Sequence, residues 1–128
     1  MDDQQHTPDQ PGDIFHHELR STDPRATREF FSRVFGWTFT MMDVPGADIS
    51  LFDTPGRSEG HLMAPDDGTT ATVVAYVLVT DIDAIAAEIE AAGGRIVVPR
   101  QEAPNMGSFL TFEAPGGPTF MAWQHAAL

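Results

Sequence analysis

The residues of this chain that could do chemistry are few, and two of them share one short segment. The segment DIFHHELR (13–20) has the alternation of a β-strand. Residues two apart in a strand point to the same face, so His16 and Glu18 lie side by side and His17 points the other way. An imidazole next to a carboxylate can contribute to a metal site or form a hydrogen bond. The chain has no Cys and no Lys, which excludes thiolate and Schiff-base mechanisms, and no catalytic residue can be assigned.

A third candidate, His61, lies in a segment that occurs twice. FDTPGRSEGHLM (52–63) and FEAPGGPTFMAW (112–123) align at an offset of 60, which sets His61 opposite Met121. Upstream, residues 20–39 match residues 78–97 at an offset of 58. The pattern of each copy predicts strand–helix–strand–strand–strand. We therefore expect a disordered lead-in over 1–12 and one domain over 13–128, made of module one (13–63), a linker (64–71) and module two (72–125).

The helix of module one has clear end signals. Asp23 followed by Pro24 predicts an N-cap with proline in the first turn, and Gly36 predicts the end. Between them Ala26, Phe30 and Val34, with the adjacent Phe31 and Phe35, form an apolar stripe at helical spacing. In module two, Asp81 precedes a similar stripe that ends at Gly93–Gly94.

The charge of the chain excludes several partners. There are 19 acidic residues against 7 basic ones, all Arg, for a net charge of −12. Such a charge repels nucleic acid and anionic membranes. A high-GC genome would explain the preference for Arg, but the excess of acids favours a halophilic, salt-rich cytoplasm. No run of 18 apolar residues and no secretory signal is found, so we expect a cytoplasmic protein with no membrane segment.

The motifs HHELRSTDPRATREFFSRVFGW, VTDIDAIAAEIEAAGGRIVVP and FEAPGGPTFMAWQ together resemble the glyoxalase / bleomycin resistance / dioxygenase group, the vicinal oxygen chelate superfamily. The resemblance covers residues 13–125, with Ala114 and Pro118 as departures in the last motif. It implies an α+β fold in which two tandem βαβββ modules form a U-shaped mixed sheet with a ligand cleft. Chains of this size in the superfamily often form homodimers.

The resemblance also implies a metal site with four ligand positions. These positions fall on His16, Val74, His61 and Met121, so two of the four side chains cannot donate to a hard cation. Glu18 could complete a two-His-one-carboxylate triad with His16 and His61. The alternative is that Glu18 only accepts hydrogen bonds from a histidine or from neighbouring backbone.

Alternation along the strands predicts a pocket of apolar and aromatic side chains with a few polar groups. Its residues are His16, Glu18, His61, Val74, Tyr76, Met121 and Trp123, with Trp37 and Phe109 at the rim. The alternative is a cavity filled by these side chains themselves. His17 is expected to face the helix layer, and His6 and His125 are expected to have no role in the site.

Two functions follow from these residues. The first is a glyoxalase-like protein that binds a small molecule without a cofactor, because half of the metal ligands are missing. The second is a metal-dependent lyase, isomerase or dioxygenase that uses His16, His61 and Glu18, with the metal as Lewis acid.

Overall fold

The computed structural model describes residues 9–127 and contains eight strands and two helices. In chain order these are β1 (Ile14–Arg20), α1 (Pro24–Phe35), β2 (Thr38–Met41), β3 (Ser50–Asp53), β4 (Glu59–Met63), β5 (Thr72–Leu78), α2 (Ile82–Ala91), β6 (Arg95–Ala103), β7 (Gly107–Glu113) and β8 (Thr119–His125). The predicted α+β class and the βαβββ order of both modules are confirmed. Neither helix is long and apolar enough to cross a bilayer, as judged on the described residues.

The chain divides into two compact units. The first, the His16–Tyr76 unit, contains α1, β2, β3, β4 and most of β1 and β5, with the strands in the order β2-β3-β4-β1-β5. The pairs β2–β3 and β3–β4 are antiparallel, while β1 and β4 are parallel, so the sheet is mixed. Its buried face contains Phe52 and Leu62, which are 2% and 0% exposed.

The second, the C-terminal unit, contains residues 9–15 and those from Val77 onward. Here β6, β7 and β8 form an antiparallel meander, with register shifts in β6 between Ile96 and Gln101. Its core packs the inner face of α2 against the meander and is centred on Val79, Ile82, Leu110 and Ala122. Most of the predicted lead-in, residues 1–8, lies outside the described residues. Within the described part the Gly12 N–H donates to the Leu78 carbonyl, at 2.7 Å.

Helix α1 begins and ends where the sequence predicts, and α2 begins there but ends at Ala91, two residues before the predicted end at Gly93. The Asp23 side chain accepts a hydrogen bond from the Ala26 N–H, and Gly36 ends α1 in a left-handed conformation with φ 74°. Asp81 accepts from the N–H groups of Asp83 and Ala84 at the start of α2. These caps satisfy backbone donors that a helix leaves unpaired at its first turn.

Only one part of the apolar stripe of α1 faces the sheet. Phe31 faces the sheet, where its ring stacks on Trp37 with centroids 4.4 Å apart. Phe30 and Val34, which belong to the same apolar stripe, are 53% and 54% exposed. Trp37 also stacks on Phe52, at 4.7 Å, on the buried face of the sheet. The prediction that Trp37 borders the ligand pocket is therefore wrong, because the ring fills the layer between α1 and the sheet.

Candidate functional site

The candidate site lies at the centre of the His16–Tyr76 unit, where β1 and β4 run parallel. Their register sets Glu18 beside His61. Alternation along β1 places His16, Glu18 and Arg20 on one face, as the sequence predicts for the first two. The neighbouring strand β5 contributes Tyr76. Four predicted pocket residues (His16, Glu18, His61 and Tyr76) are thus brought together.

A buried carboxylate organises this cluster. Glu18 is 4% exposed and accepts hydrogen bonds from three side chains. The donors are the Arg20 guanidinium at Oε2, the Tyr76 hydroxyl at 2.5 Å and the His61 Nε2 at 3.1 Å, the last two at Oε1. A buried charge is stable only when it is paired and hydrogen-bonded, and Glu18 meets both conditions.

The two imidazoles are hydrogen-bonded to each other, which fixes their tautomers. His61 Nε2 carries its hydrogen because it faces a carboxylate that can only accept. His61 Nδ1 then has a lone pair, and it accepts the Nε2–H of His16 at 2.8 Å. Both rings also make edge contacts with the ring of Tyr76, with centroids 5.3 and 6.1 Å apart. Glu18 therefore orients His61, and His61 in turn orients His16.

The electrostatics of the cluster favour an ionised Glu18 and a neutral His16. Burial, the largest effect, would raise the pKa of Glu18, but the hydrogen bonds from His61, Tyr76 and Arg20 and the charge of Arg20 outweigh it and lower the pKa to about 2. Burial, followed by repulsion from His61 and His17, lowers the pKa of His16 to about 4 against the weaker attraction of Glu18. Burial and the neighbouring carboxylate raise the pKa of Tyr76, so its hydroxyl remains a donor.

The same sheet face continues across β3 and β2. Leu51 lies directly opposite His61, and Thr40 lies directly opposite Leu51. Leu51 is 45% exposed, and it gives the site an accessible apolar surface next to the imidazole pair. Phe52, its neighbour in sequence, points to the buried face with Trp37.

The remaining predicted pocket residues are Val74, Met121 and Trp123. Val74 is 4% exposed and shares the strand face of Tyr76 on β5. Met121 and Trp123 belong to the C-terminal unit. Met121 accepts a hydrogen bond from the Thr111 hydroxyl at its sulfur, and the Trp123 ring stacks on Phe109 with centroids 5.9 Å apart.

The three other histidines differ in position. His17 is on the strand face opposite to Glu18 and pairs in register with Gly60. His125 accepts a hydrogen bond from the Trp123 indole N–H at 2.9 Å in the C-terminal unit. His6 lies outside the described residues.

Two residues of the site were missed from the sequence. Arg20 could have been found, because it lies two positions after Glu18 and the same alternation places it on the same face. Leu51 could not, because its position beside His61 depends on the β3–β4 register.

The metal triad of His16, His61 and Glu18 does not fit this arrangement. A two-His-one-carboxylate site needs three donors directed at one point, about 2 Å from each. Glu18 faces Nε2 of His61, whereas His16 faces Nδ1 of the same ring, and these two nitrogens point in different directions. Within residues 9–127 no group of three His, Asp or Glu side chains is arranged to hold a metal ion. Glu18 instead serves as the acceptor that the alternative reading of the sequence allowed.

The depressed pKa of His16 predicts a specific pH dependence of stability. His16 takes up a proton near pH 6.5 in the unfolded chain and near pH 4 in the folded one, so acidification between these values favours unfolding. A His16→Gln variant keeps a donor for His61 but does not titrate. We expect wild-type stability to fall more steeply than that of the variant between pH 6.5 and 4, by at most about 1.4 kcal/mol per pH unit. Urea unfolding at a series of pH values measures both slopes, and equal slopes would show that His16 has an ordinary pKa.

Comparison with known proteins agrees with this fold. The family model of the Glyoxalase/Bleomycin resistance protein/Dioxygenase superfamily matches residues 13–121. The anthracycline biosynthesis protein DnrV of Streptomyces peucetius is 25% identical over 134 residues, which cover 92% of this chain and 49% of the relative. The chain thus spans about half the length of the curated relatives it matches.

Two solved structures illustrate the shared fold. Methylmalonyl-CoA epimerase from Mycobacterium tuberculosis superposes with a TM-score of 0.66 at 18% identity, covering 88% of this chain and 87% of that one. A superfamily member from Vibrio splendidus superposes with a TM-score of 0.64 at 17% identity, covering 86% and 96%. At these identities the likeness concerns the fold alone.

Proposed function

The chain belongs to the Glyoxalase/Bleomycin resistance protein/Dioxygenase superfamily, and from that membership we propose that it binds a small molecule without a metal ion. One observation supports this most directly. Both ring nitrogens of His61 are engaged, one by the Glu18 carboxylate and the other by His16. A metal ion at this place would have to break these hydrogen bonds and would leave the buried Glu18 with fewer donors.

The ligand contacts the open face of the His16–Tyr76 unit. Small-molecule sites combine apolar surface with a few fixed polar groups, and here Leu51 supplies the first and the His16–His61 pair the second. A relative named for anthracycline biosynthesis suggests the ligand class, a planar hydroxy-aromatic molecule. Its ring lies on Leu51 and a polar substituent meets the imidazole pair.

Metal content tests the first part of the proposal. Protein purified without an affinity tag is incubated with Fe²⁺, Mn²⁺, Ni²⁺ or Zn²⁺, desalted and assayed by plasma mass spectrometry. We expect far less than one ion per chain. Near-stoichiometric metal that disappears in His16→Ala but persists in His125→Ala, a control in the other unit, would instead support the metal-dependent lyase, isomerase or dioxygenase.

Binding of a dihydroxyanthraquinone tests the ligand class. Its fluorescence is titrated with wild-type protein, with Leu51→Ala and with Val73→Ala, a control on the opposite face of β5 that is 61% exposed. Removing the Leu51 side chain is expected to weaken binding about tenfold, while the control leaves it unchanged. Absence of binding, or equal binding by all three proteins, would contradict this ligand class.

A further inference from the structure

Helix α1 has two apolar sides, and the sheet covers only one of them. Phe31 packs against Trp37 and through it against Phe52. No residue of the helix is fully buried. Phe30 and Val34 lie on the other side and are 53% and 54% exposed.

The uncovered side is a continuous stripe. Ala26, Phe30 and Val34 follow one another at intervals of four, which places them on one face of the helix. The three side chains form the floor of a shallow groove. Contiguous exposed apolar surface on a soluble protein commonly marks an interaction site.

The charges beside the stripe indicate what could cover it. Glu29 and Arg33 line the same groove on one flank, one helical turn apart. The Arg25 guanidinium is 3.4 Å from Glu29 with both side chains mostly exposed, so this ion pair is weak and readily exchanged. Arg28 is bound elsewhere, to Asp48. The flank thus offers one acidic and one basic group at a fixed spacing.

We propose that a second copy of this chain covers the stripe, with the two α1 helices packed antiparallel about a two-fold axis near Phe30. In this arrangement Glu29 of each copy faces Arg33 of the other, so the surface is complementary to itself. In a parallel two-fold pairing the flanks that carry Glu29 and Arg33 would lie on opposite sides of the interface, so these charges would not meet. Phe30 would meet its own counterpart at the centre, where aromatic pairs contribute most to binding.

This interface leaves the candidate binding site accessible. Helix α1 packs on the sheet face of Phe52, whereas His61 and Leu51 lie on the other face. The proposal can therefore be tested independently of the proposed function.

A second groove, formed by Phe39 and Met41, also borders Glu29 and extends the apolar surface to the edge strand β2.

Sedimentation velocity over a concentration series, at one fixed ionic strength, tests the interface on the full chain. We expect a reversible dimer whose dissociation constant rises at least tenfold in Phe30→Gln. Met106→Gln is the matched control, since Met106 is 60% exposed in the C-terminal unit, and it should leave the constant unchanged. Circular dichroism melting of each variant establishes that it is folded.

Charge reversal tests the antiparallel register. Glu29→Arg and Arg33→Glu should each weaken the dimer several-fold, and the double variant should restore it to within about twofold of wild type. A wild-type protein that stays monomeric at all concentrations would overturn the proposal. So would a dimer that tolerates Phe30→Gln, or one that the double reversal does not restore.

Discussion

Replacement of Gly60 by alanine is expected to lower the free energy of unfolding by about 3 kcal/mol. Gly60 pairs with His17 where β1 and β4 run parallel. A Cβ at this position would overlap the His17 carbonyl oxygen and come within 2.7 Å of the Phe52 ring. The overlap involves backbone, so it is relieved only if the two strands move apart. The usual gain from replacing a strand glycine, about 0.5–1 kcal/mol, is too small to offset this cost.

The same substitution should disrupt the candidate site. His61 follows Gly60 directly, and its contact with Glu18 depends on the β1–β4 register. We expect the His61 ring to lose its fixed tautomer, which nitrogen-15 chemical shifts of the imidazole report.

A second glycine provides the control. Gly56 lies in the turn between β3 and β4, where an added Cβ would meet no atom within 4 Å. Gly56→Ala should change stability by no more than about 0.5 kcal/mol in urea unfolding. If both variants unfold like wild type, β1 and β4 leave room for a Cβ at position 60, which contradicts the prediction.

The order of the elements could be predicted from the sequence because the signals are local. Asp23 and Gly36 mark the ends of α1 through short-range hydrogen bonds and backbone conformation, and both were found. The offset repeats gave the βαβββ order of both modules without any knowledge of strand pairing. Alternation along β1 was enough to place His16 and Glu18 on one face.

The side of α1 that faces the sheet could not be predicted in the same way. Its apolar residues, from Ala26 to Phe35, extend over about half of the helix circumference. Periodicity alone therefore permits either Phe30 or Phe31 to face the core. The choice depends on Trp37, which stacks on Phe31 after the chain turns at Gly36.

The hydrogen bond between the two histidines is also beyond local reasoning. His16 and His61 are 45 residues apart, and their contact requires the parallel pairing that Gly60 permits. The resemblance brought both residues to a metal position. It did not indicate that Glu18 would accept a hydrogen bond from Nε2 of His61. The three side chains therefore form a chain of hydrogen bonds and not a set of metal ligands.

Replacement of Glu18 by glutamine is expected to destabilise the protein by about 3 kcal/mol, because it removes one partner of a buried ion pair. The side chains of Glu18 and Arg20 are 6% and 24% exposed. Three donors converge on the carboxylate, and glutamine offers one acceptor oxygen and an NH₂ group that would face a donor. Urea unfolding at neutral pH measures the loss. Glu59→Gln is the control, because Glu59 is exposed and lies on the same sheet face as Glu18. This substitution should change stability by less than about 0.5 kcal/mol.

The pH dependence of stability separates the contribution of the Glu18 charge from the contribution of its side-chain shape. A carboxylate whose pKa is lowered to about 2 contributes stability above its unfolded value near 4.5, and this contribution is lost as the pH falls toward 2. The cost of Glu18→Gln should therefore shrink over that interval. A double variant, Glu18→Gln with Arg20→Met, should cost less than the sum of the single variants, since the unpaired guanidinium is also removed. Additive costs, or a cost that is independent of pH, would mean that the carboxylate does not organise the site.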